Sequence, residues 1–381
     1  MRARSVNINV VLGPWLPMPP VRGGAMQKSW YGLAREFVRA GESVAVFAKR
    51  FPGQSDRETL EGITIARTLG FAQGRSIVWD LVKDFVYAAN LAPRLAPADV
   101  LVTNDFWLPV VADLANRSAG ALVVCAARFP KGQYFLYRRA KRIIAISSAV
   151  GAAIVAEDPS LASRTEVIPL PVDLELLSNG AIPGRKRGRT VLFVGRIHPE
   201  KGVEMLLGAW TRVEKEFPAW RLRIVGPFAA ADGGGGPQFE ARVRELARGH
   251  AVDFEGPLFD QSALADVYRG ADVFCYPSIA DRGEAFGAAA LEAMAAGVPP
   301  IVSALDCFRD FVRDGGNGWV FDHRAMDPQA RLAERLRQAM GNAAAREHLS
   351  HEARKDAGRF GFPAIAQRYL AEFDRMLSSF K

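Results

Sequence analysis

Val191-Leu-Phe-Val-Gly-Arg-Ile-His-Pro-Glu-Lys-Gly202 decides how this chain is read. Its apolar opening has the character of a strand buried on both faces. Gly195 ends the strand, and Arg196 and Lys201 follow where the next helix starts. A helix start offers unpaired N–H groups and a partial positive charge. Two cations beside it suit a diphosphate. A surface Arg and Lys at an ordinary strand–helix turn is the competing reading.

The same alternation extends in both directions. Upstream, Val6–Leu12, Ser43–Ala48, Ile63–Leu69, Val100–Thr103, Ala121–Cys125 and Arg142–Ile146 have strand character. Helices are expected over Ala25–Ala40, with Met26, Trp30, Leu33 and Phe37 on one face, and over Ile77–Ala89 and Leu108–Arg117. Downstream, strands are expected at Thr190–Val194, Leu222–Val225, Val252–Glu255, Val273–Tyr276 and Pro300–Val302. Helices are expected at Gly202–Phe217 and Phe239–Arg248, with Gly233–Gly236 as a flexible loop. Alternating strands and helices imply parallel sheets covered on both faces. Ser178–Arg189, with Asn-Gly, Pro-Gly and four basic residues, has the composition of a linker. The expectation is an α/β chain of two tandem Rossmann-like domains, 1–180 and 181–362, facing a cleft. The segment 363–381 is expected to be a C-terminal helix packing back on the body. Ligands of such folds bind at the C-terminal ends of the strands.

Composition narrows the class. The 381 residues are 49% hydrophobic and 24% charged, which excludes disordered and fibrous chains. Cys125, Cys275 and Cys307 are far apart and odd in number, so neither a disulfide framework nor a zinc site is expected. The early uncharged stretch Ser5–Val21 holds four prolines and makes a poor membrane span or signal core. A cytoplasmic protein is the expectation by elimination. Residues 1–180 carry 21 Lys/Arg against 15 Asp/Glu, a balance of +6 in a chain of net charge +8. A basic half suits an anionic partner or a membrane surface, and equally a solvated face. No P-loop, dinucleotide fingerprint, HExxH or nucleophile–His–Asp pattern is present.

The second informative stretch is Tyr276-Pro-Ser-Ile-Ala-Asp-Arg-Gly-Glu-Ala-Phe-Gly-Ala-Ala-Ala-Leu-Glu-Ala-Met-Ala-Ala-Gly297. A strand leads to a loop with Glu284 and then to a short helix, about Gly287–Ala296, whose single charge is Glu292. A carboxylate on an alanine-rich helix is costly to bury unless it is hydrogen-bonded. Its neighbours Ala288, Ala289, Ala295 and Ala296 leave room for a ligand, so Glu292 suits the paired hydroxyls of a ribose. Glu284, close to the amides of Phe286, Gly287 and Ala288, suits a sugar's hydroxyls. The competing reading is one solvated glutamate and one helix-capping glutamate.

Together these residues resemble the retaining glycosyltransferases of family four, which have the GT-B fold. The Gly-Arg-x-x-x-x-Lys-Gly turn and the Glu-x7-Glu spacing carry the likeness. Gly23-Gly24, Ile144–Ala149, Val167–Asp173, Phe254–Gly256 and Ala271–Ser278 extend it over most of the chain. The resemblance implies a nucleotide-diphosphate sugar as donor substrate; no cofactor is expected, and no metal, since Arg196 and Lys201 take the positions facing the phosphates and no Asp-x-Asp occurs in the sequence. It implies Arg196 and Lys201 on the diphosphate, Glu292 on the ribose, and Glu284 with the amides of Phe286, Gly287 and Ala288 on the transferred sugar. Gly23 and Gly24 would approach the phosphates from the other domain, and the base would rest near Pro257 and Leu258. The leaving diphosphate itself would help deprotonate the acceptor, so no carboxylate nucleophile is assigned. The sequence departs from the family where a histidine is usual: it has Cys125-Ala-Ala-Arg128, and its first domain contains no histidine. Asn104-Asp105 stands where His-Asp is frequent, and Leu170-Pro171 where Asn-Gly is usual.

On the acceptor side, Arg128, Lys131, Arg138 and Arg139 lie among Phe129, Tyr134, Phe135 and Tyr137, followed by Lys141 and Arg142. They would meet an anionic or lipid-linked acceptor, or the inner face of a membrane. A solvated helix face is the alternative. Nucleic acid is not expected, since no recognition module frames these residues. The activity expected is metal-independent, retaining sugar transfer. The alternative is a GT-B-shaped sugar-nucleotide binder with little or no transfer.

Overall fold

The computed structural model describes residues 5–21, 24–74, 76–178 and 188–378. The chain divides into two compact units: Met1–Pro171 with Phe362–Lys381, and Val172–Gly361.

The first unit runs β1 (Asn7–Val11), α1 (Ala25–Arg39), β2 (Ser43–Lys49), β3 (Arg57–Leu60), β4 (Ile63–Thr68) and α2 (Ile77–Leu91). It continues with β5 (Val100–Thr103), α3 (Leu108–Ala115), β6 (Ala121–Ala126), β7 (Arg142–Ala145), α4 (Ser148–Glu157) and β8 (Thr165–Val167). The sheet order is β3-β4-β2-β1-β5-β6-β7-β8, parallel except for β3. Strand order reverses between β1 and β5, which pair Val10 with Val102 and Val11 with Thr103. The β3–β4 hairpin went unread because Arg57-Glu-Thr-Leu60 carries no apolar alternation. Its turn, Glu61 at φ 51° and Gly62 at φ 81°, has the two left-handed residues that match hairpin twist.

The second unit comprises α5 (Leu174–Ser178), β9 (Thr190–Val194), α6 (Val203–Trp210), β10 (Arg221–Val225), α7 (Gly236–Leu246) and β11 (Val252–Glu255). It continues with α8 (Gln261–Arg269), β12 (Val273–Tyr276), α9 (Ala288–Ala295), β13 (Pro300–Ser303), β14 (Trp319–Phe321), α10 (Pro328–Gly341) and α11 (Ala343–Ala357). Its strands are all parallel in the order β11-β10-β9-β12-β13-β14. In strand rank that is 3-2-1-4-5-6, with the switch point between β9 and β12.

The final helix, α12 (Phe362–Ser378), belongs to the first unit. It packs on α1 through Trp30 and Tyr369, with ring centroids 5.2 Å apart, and through Phe37 and Phe373 at 6.1 Å. The unit boundary falls at Pro171/Val172 rather than at 180/181. Helix α5 belongs to the second unit because Arg269 on α8 donates to the Leu176 carbonyl at 2.5 Å. The linker residues 179–187 lie outside the described residues.

Helices α6 and α7 depart most from their expected boundaries. Helix α6 stops at Trp210 rather than Phe217, because Arg212 and Val213 bond back three residues, to Ala209 and Trp210. Helix α7 starts at Gly236, three residues before the expected Phe239. The glycine run is tied down, with the Gly235 amide on the Ile197 carbonyl at 2.9 Å and the Gly236 amide on the Phe228 carbonyl at 2.8 Å.

Candidate active site

The loop after β9 is shaped by contacts to its neighbouring strands. The Gly195 amide bonds the Val225 carbonyl, and a Cβ on Gly195 would press the Tyr276 ring at 3.2 Å. His198 Nδ1 accepts from the Glu200 amide and opens a short 3-10 turn, Pro199–Lys201. Gly202 then takes φ +71°, where a side chain would collide with the Pro277 carbonyl. That left-handed step sends Lys201 inward, to 5% exposure.

Lys201 Nζ donates to Glu284 Oε2 at 2.7 Å, and Glu284 is itself 7% exposed. The pair bridges the β9 loop to the β12 loop at the switch point. The Tyr276 hydroxyl also bonds Glu284. Burial first, and then the Glu284 charge, push the Tyr276 hydroxyl well above its ordinary pKa. The second cation behaves differently. Arg196 is exposed, donating through Nη2 to Glu200 Oε1 at 2.6 Å and through Nη1 to the Gly233 carbonyl at 2.9 Å. Glu200 Oε1 also lies 3.9 Å from Lys201 Nζ, so both cations gather around one carboxylate oxygen. The Glu200 carbonyl accepts from the Ile279 amide at 2.9 Å and the Ser278 hydroxyl at 3.2 Å, joining the two loops again. Glu200 was part of the quoted motif and had been given no role.

The β12 loop leads into α9 through Gly287 at φ +79°, where a Cβ would strike the Phe308 ring. No side chain caps α9, so the helix-capping reading of Glu284 does not hold: its carboxylate turns to Lys201. Phe286 is buried 5.2 Å from the Phe311 ring, and Ala288 is half-buried at the first helical position. Glu292 is half-buried one turn on, its Oε2 accepting from the Tyr268 hydroxyl of α8 at 2.8 Å. The carboxylate that looked isolated on an alanine helix therefore has a tyrosine partner from the preceding helix. Pro257 and Leu258 follow β11, two strands from β9, and Pro257 is exposed.

The first unit brings other residues to its own switch point. Gly13 follows β1 at φ +75°, with Asp105 Oδ1 2.5 Å from where its Cβ would stand. Asp105 is buried, and neither its Oδ2, nor Asn104 Oδ1, nor the Tyr87 hydroxyl finds a partner among the described residues. Asp84 on α2 is buried beside them, accepting from the Trp107 amide at 2.9 Å. Burial lifts the Asp84 carboxyl to about 6, and burial followed by the Asp84 charge raises Asp105 well above the carboxylate range. Gly24 caps α1 at φ 91°, and Gly23 lies outside the described residues. Cys125, near the usual histidine position, is a core residue with Sγ 3.7 Å from the Tyr369 hydroxyl. Burial pushes that thiol up to about 11.

The acceptor-side candidates do not form a helix face. Arg128, Lys131, Arg138 and Arg139 are exposed on loops around a 3-10 turn, Tyr134–Tyr137. Tyr134 and Tyr137 turn inward, and Arg138 bonds Asp158 Oδ2 at 2.7 Å. Interleaving in sequence thus separates in space: tyrosines to the core, cations to solvent.

Two Rossmann-like units, the second with a buried Lys–Glu pair at its switch point, define a GT-B protein. The family model for a glycosyl transferase 4-like domain matches residues 24–171, and that for glycosyl transferases group 1 matches residues 181–356. The chain belongs to this glycosyltransferase family. It is similar to the D-inositol 3-phosphate glycosyltransferase of Geodermatophilus obscurus, 32% identical over 64% of this chain and 54% of that one. It is also similar to the phosphatidyl-myo-inositol mannosyltransferase of Mycobacterium tuberculosis, 34% identical over 58% and 56%. The chain thus spans about half the length of these curated relatives. In fold it matches sucrose-phosphate synthase from Thermosynechococcus elongatus, with a TM-score of 0.76 over 99% of this chain and 100% of that one, at 22% identity. HepE of Anabaena in complex with UDP and glucose gives 0.73 over 97% and 100%, at 18%.

Proposed function

We propose that the protein is a retaining glycosyltransferase that draws a sugar from a nucleotide-diphosphate donor seated on the second unit, without a divalent metal. The observation that carries this reading is the buried Lys201–Glu284 pair, with Arg196 gathered beside it around Glu200. As the sugar–oxygen bond breaks, negative charge builds on the diphosphate, and preorganised cations stabilise it best. Arg196, half-exposed and forked, leaves Glu200 for the diphosphate. Lys201, fixed by Glu284, supplies a positive charge that needs no reorganisation. Glu292, with Tyr268 behind it, takes the ribose hydroxyls. Glu284 and the Phe286, Gly287 and Ala288 amides hold the transferred sugar, with the base near Pro257 and Leu258. No nucleophile is invoked, and the leaving diphosphate takes the acceptor's proton.

The acceptor is a hydroxylated, phosphate-bearing molecule met by the first unit, with Arg128, Lys131, Arg138 and Arg139 as its anion-facing side. Two relatives named for inositol phosphate and phosphatidyl-myo-inositol support that class. The deciding experiment measures release of nucleoside diphosphate from UDP-, GDP- and ADP-sugars, with and without inositol phosphate. A thermal-shift screen runs alongside, because a ligand at 100 times its dissociation constant adds about 2.7 kcal/mol. A shift with no release, under any acceptor, would leave a sugar-nucleotide binder instead of a transferase. The anomeric configuration of the product, read by NMR, tests retention.

A further inference from the structure

Where the second unit is read as holding a diphosphate, its charged groups cancel. Arg196 and Lys201 bring two positive charges, and Glu200 and Glu284 bring two negative ones. A diphosphate is held best by cations that are not already neutralised. The Lys201–Glu284 pair cannot open to provide one. Its side chains are 7% and 8% exposed, and parting them would strand two charges away from water. The Arg196–Glu200 pair is different: its side chains are 44% and 30% exposed, and a pair open to water separates at small cost.

The Glu200 carboxylate is not what shapes its loop. The residue's carbonyl accepts from the Ile279 amide at 2.9 Å and the Ser278 hydroxyl at 3.2 Å, and its amide donates to His198 Nδ1 at 3.4 Å. None of these contacts uses the side chain. The carboxylate instead places one oxygen between two cations: Oε1 accepts from Arg196 Nη2 at 2.6 Å and lies 3.9 Å from Lys201 Nζ. Oε2 faces Gly283, where a Cβ would stand 3.5 Å away. An anionic oxygen shared by an arginine and a lysine is the arrangement a phosphate oxygen takes. Arg196 has a second hold, from Nη1 to the Gly233 carbonyl at 2.9 Å, which keeps the guanidinium close when Glu200 releases it.

We propose that Glu200 is a positioning residue that stands in for a phosphate oxygen between Arg196 and Lys201, and that its return to Arg196 speeds departure of the spent nucleoside diphosphate. This rests on the donor reading above and adds that nucleotide binding exchanges one anion for another. Removing the carboxylate leaves Arg196 free for the diphosphate, so the nucleotide should bind more tightly and leave more slowly. A merely structural ion pair predicts the reverse, since Arg196 would lose its orientation.

The test measures binding of UDP, GDP and ADP to the full chain by calorimetry, and their dissociation by stopped-flow displacement. Whichever diphosphate binds the wild type should bind Glu200→Gln and Glu200→Ala about threefold to tenfold more tightly at low salt, with a matching fall in dissociation rate and a smaller gain at high salt. Glu200→Asp keeps the charge and should stay within about twofold of wild type. In an Arg196→Ala background, Glu200→Gln should recover little of the gain, because the carboxylate acts through that guanidinium. Equal or weaker binding by both charge-removing variants would overturn the proposal and leave the donor reading standing. The full gain without Arg196 would also overturn it. Failure of all three diphosphates to bind the wild type would overturn both.

Discussion

Glu284→Gln should destabilise the second unit by about 3 kcal/mol, the lower end of what removing one member of a buried ion pair costs. The reason is what it leaves behind. Lys201 is 5% exposed, and its remaining neighbours are Glu200 Oε1 at 3.9 Å and the Tyr276 ring at 5.7 Å. Glu200 is already engaged by Arg196 at 2.6 Å, so its compensation is partial. The two units need not unfold together, so the transition to follow by calorimetry is the one that added UDP or GDP raises. For a unit of this size the loss corresponds to roughly 6–12 °C. Lys201→Met alone should also destabilise the unit, because it strands the Glu284 carboxylate away from water. Lys201→Met with Glu284→Gln should recover much of the loss, since both charges leave the interior together. If Glu284→Gln falls within about 0.5 kcal/mol of wild type, or if the double variant equals the sum of the two singles, the pair is not the electrostatic unit described here.

Glu292→Ala should weaken nucleotide-sugar binding by about 1.5–3 kcal/mol, measured calorimetrically, and leave turnover at saturation nearly unchanged. Arg196→Lys should restore little of what Arg196→Ala loses in kcat/KM, because an ammonium cannot reproduce a planar fork on a diphosphate. Initial rates should be the same in excess EDTA as with added Mg²⁺ or Mn²⁺; activity lost on chelation and regained with metal would send the search to other carboxylates. Asp84 has a folded-state pKa of about 6 against 3.8 ordinarily. The folded chain therefore binds the extra proton, and stability falls as pH rises from about 4 to 6. Asp84→Asn keeps an acceptor for the Trp107 amide and should remove that slope, gaining at most about 3 kcal/mol over wild type at pH 7. Parallel urea-denaturation profiles for the two proteins would refute it.

Strand positions were legible because the central strands are apolar along their whole length. Val191–Val194 and Val273–Tyr276 could be read without reference to neighbours. Arg57–Leu60 was illegible for the opposite reason: it is an exposed edge held by a turn. At the site, the local motifs pointed to Lys201, Glu284, Arg196 and Glu292 as residues to watch. Their pairings were beyond reach. Lys201 and Glu284 are 83 positions apart, and Tyr268 and Glu292 are 24 apart. Each meeting depends on how two strand-end loops or two helices are set by the sheet, which local pattern does not encode. Asp84 went unremarked, and Asp105 entered only through the Asn104-Asp105 departure, because nothing in their neighbourhoods distinguishes a buried carboxyl from a solvated one.

Helix α2 marks a different limit of sequence reading. Periodicity can show that Val78, Val82, Phe85 and Val86 share a face, yet it cannot say whether that face meets the core or something outside the chain. The usual assumption sends it inward, because burial of apolar area is the dominant favourable term in folding. Packing decides here: Tyr87, Ala88 and Leu91 turn inward together with Asp84, which accepts from the Trp107 amide. A hydrogen bond to a buried carboxyl is worth only about 1.5–3 kcal/mol. Leaving six large apolar side chains of α2 in water forgoes more than that, by about 25 cal/mol for each Å² that could have been covered. The inward face gains Tyr87, Ala88 and Leu91, each at most 3% exposed, and that burial rather than the single hydrogen bond holds the helix in this rotation.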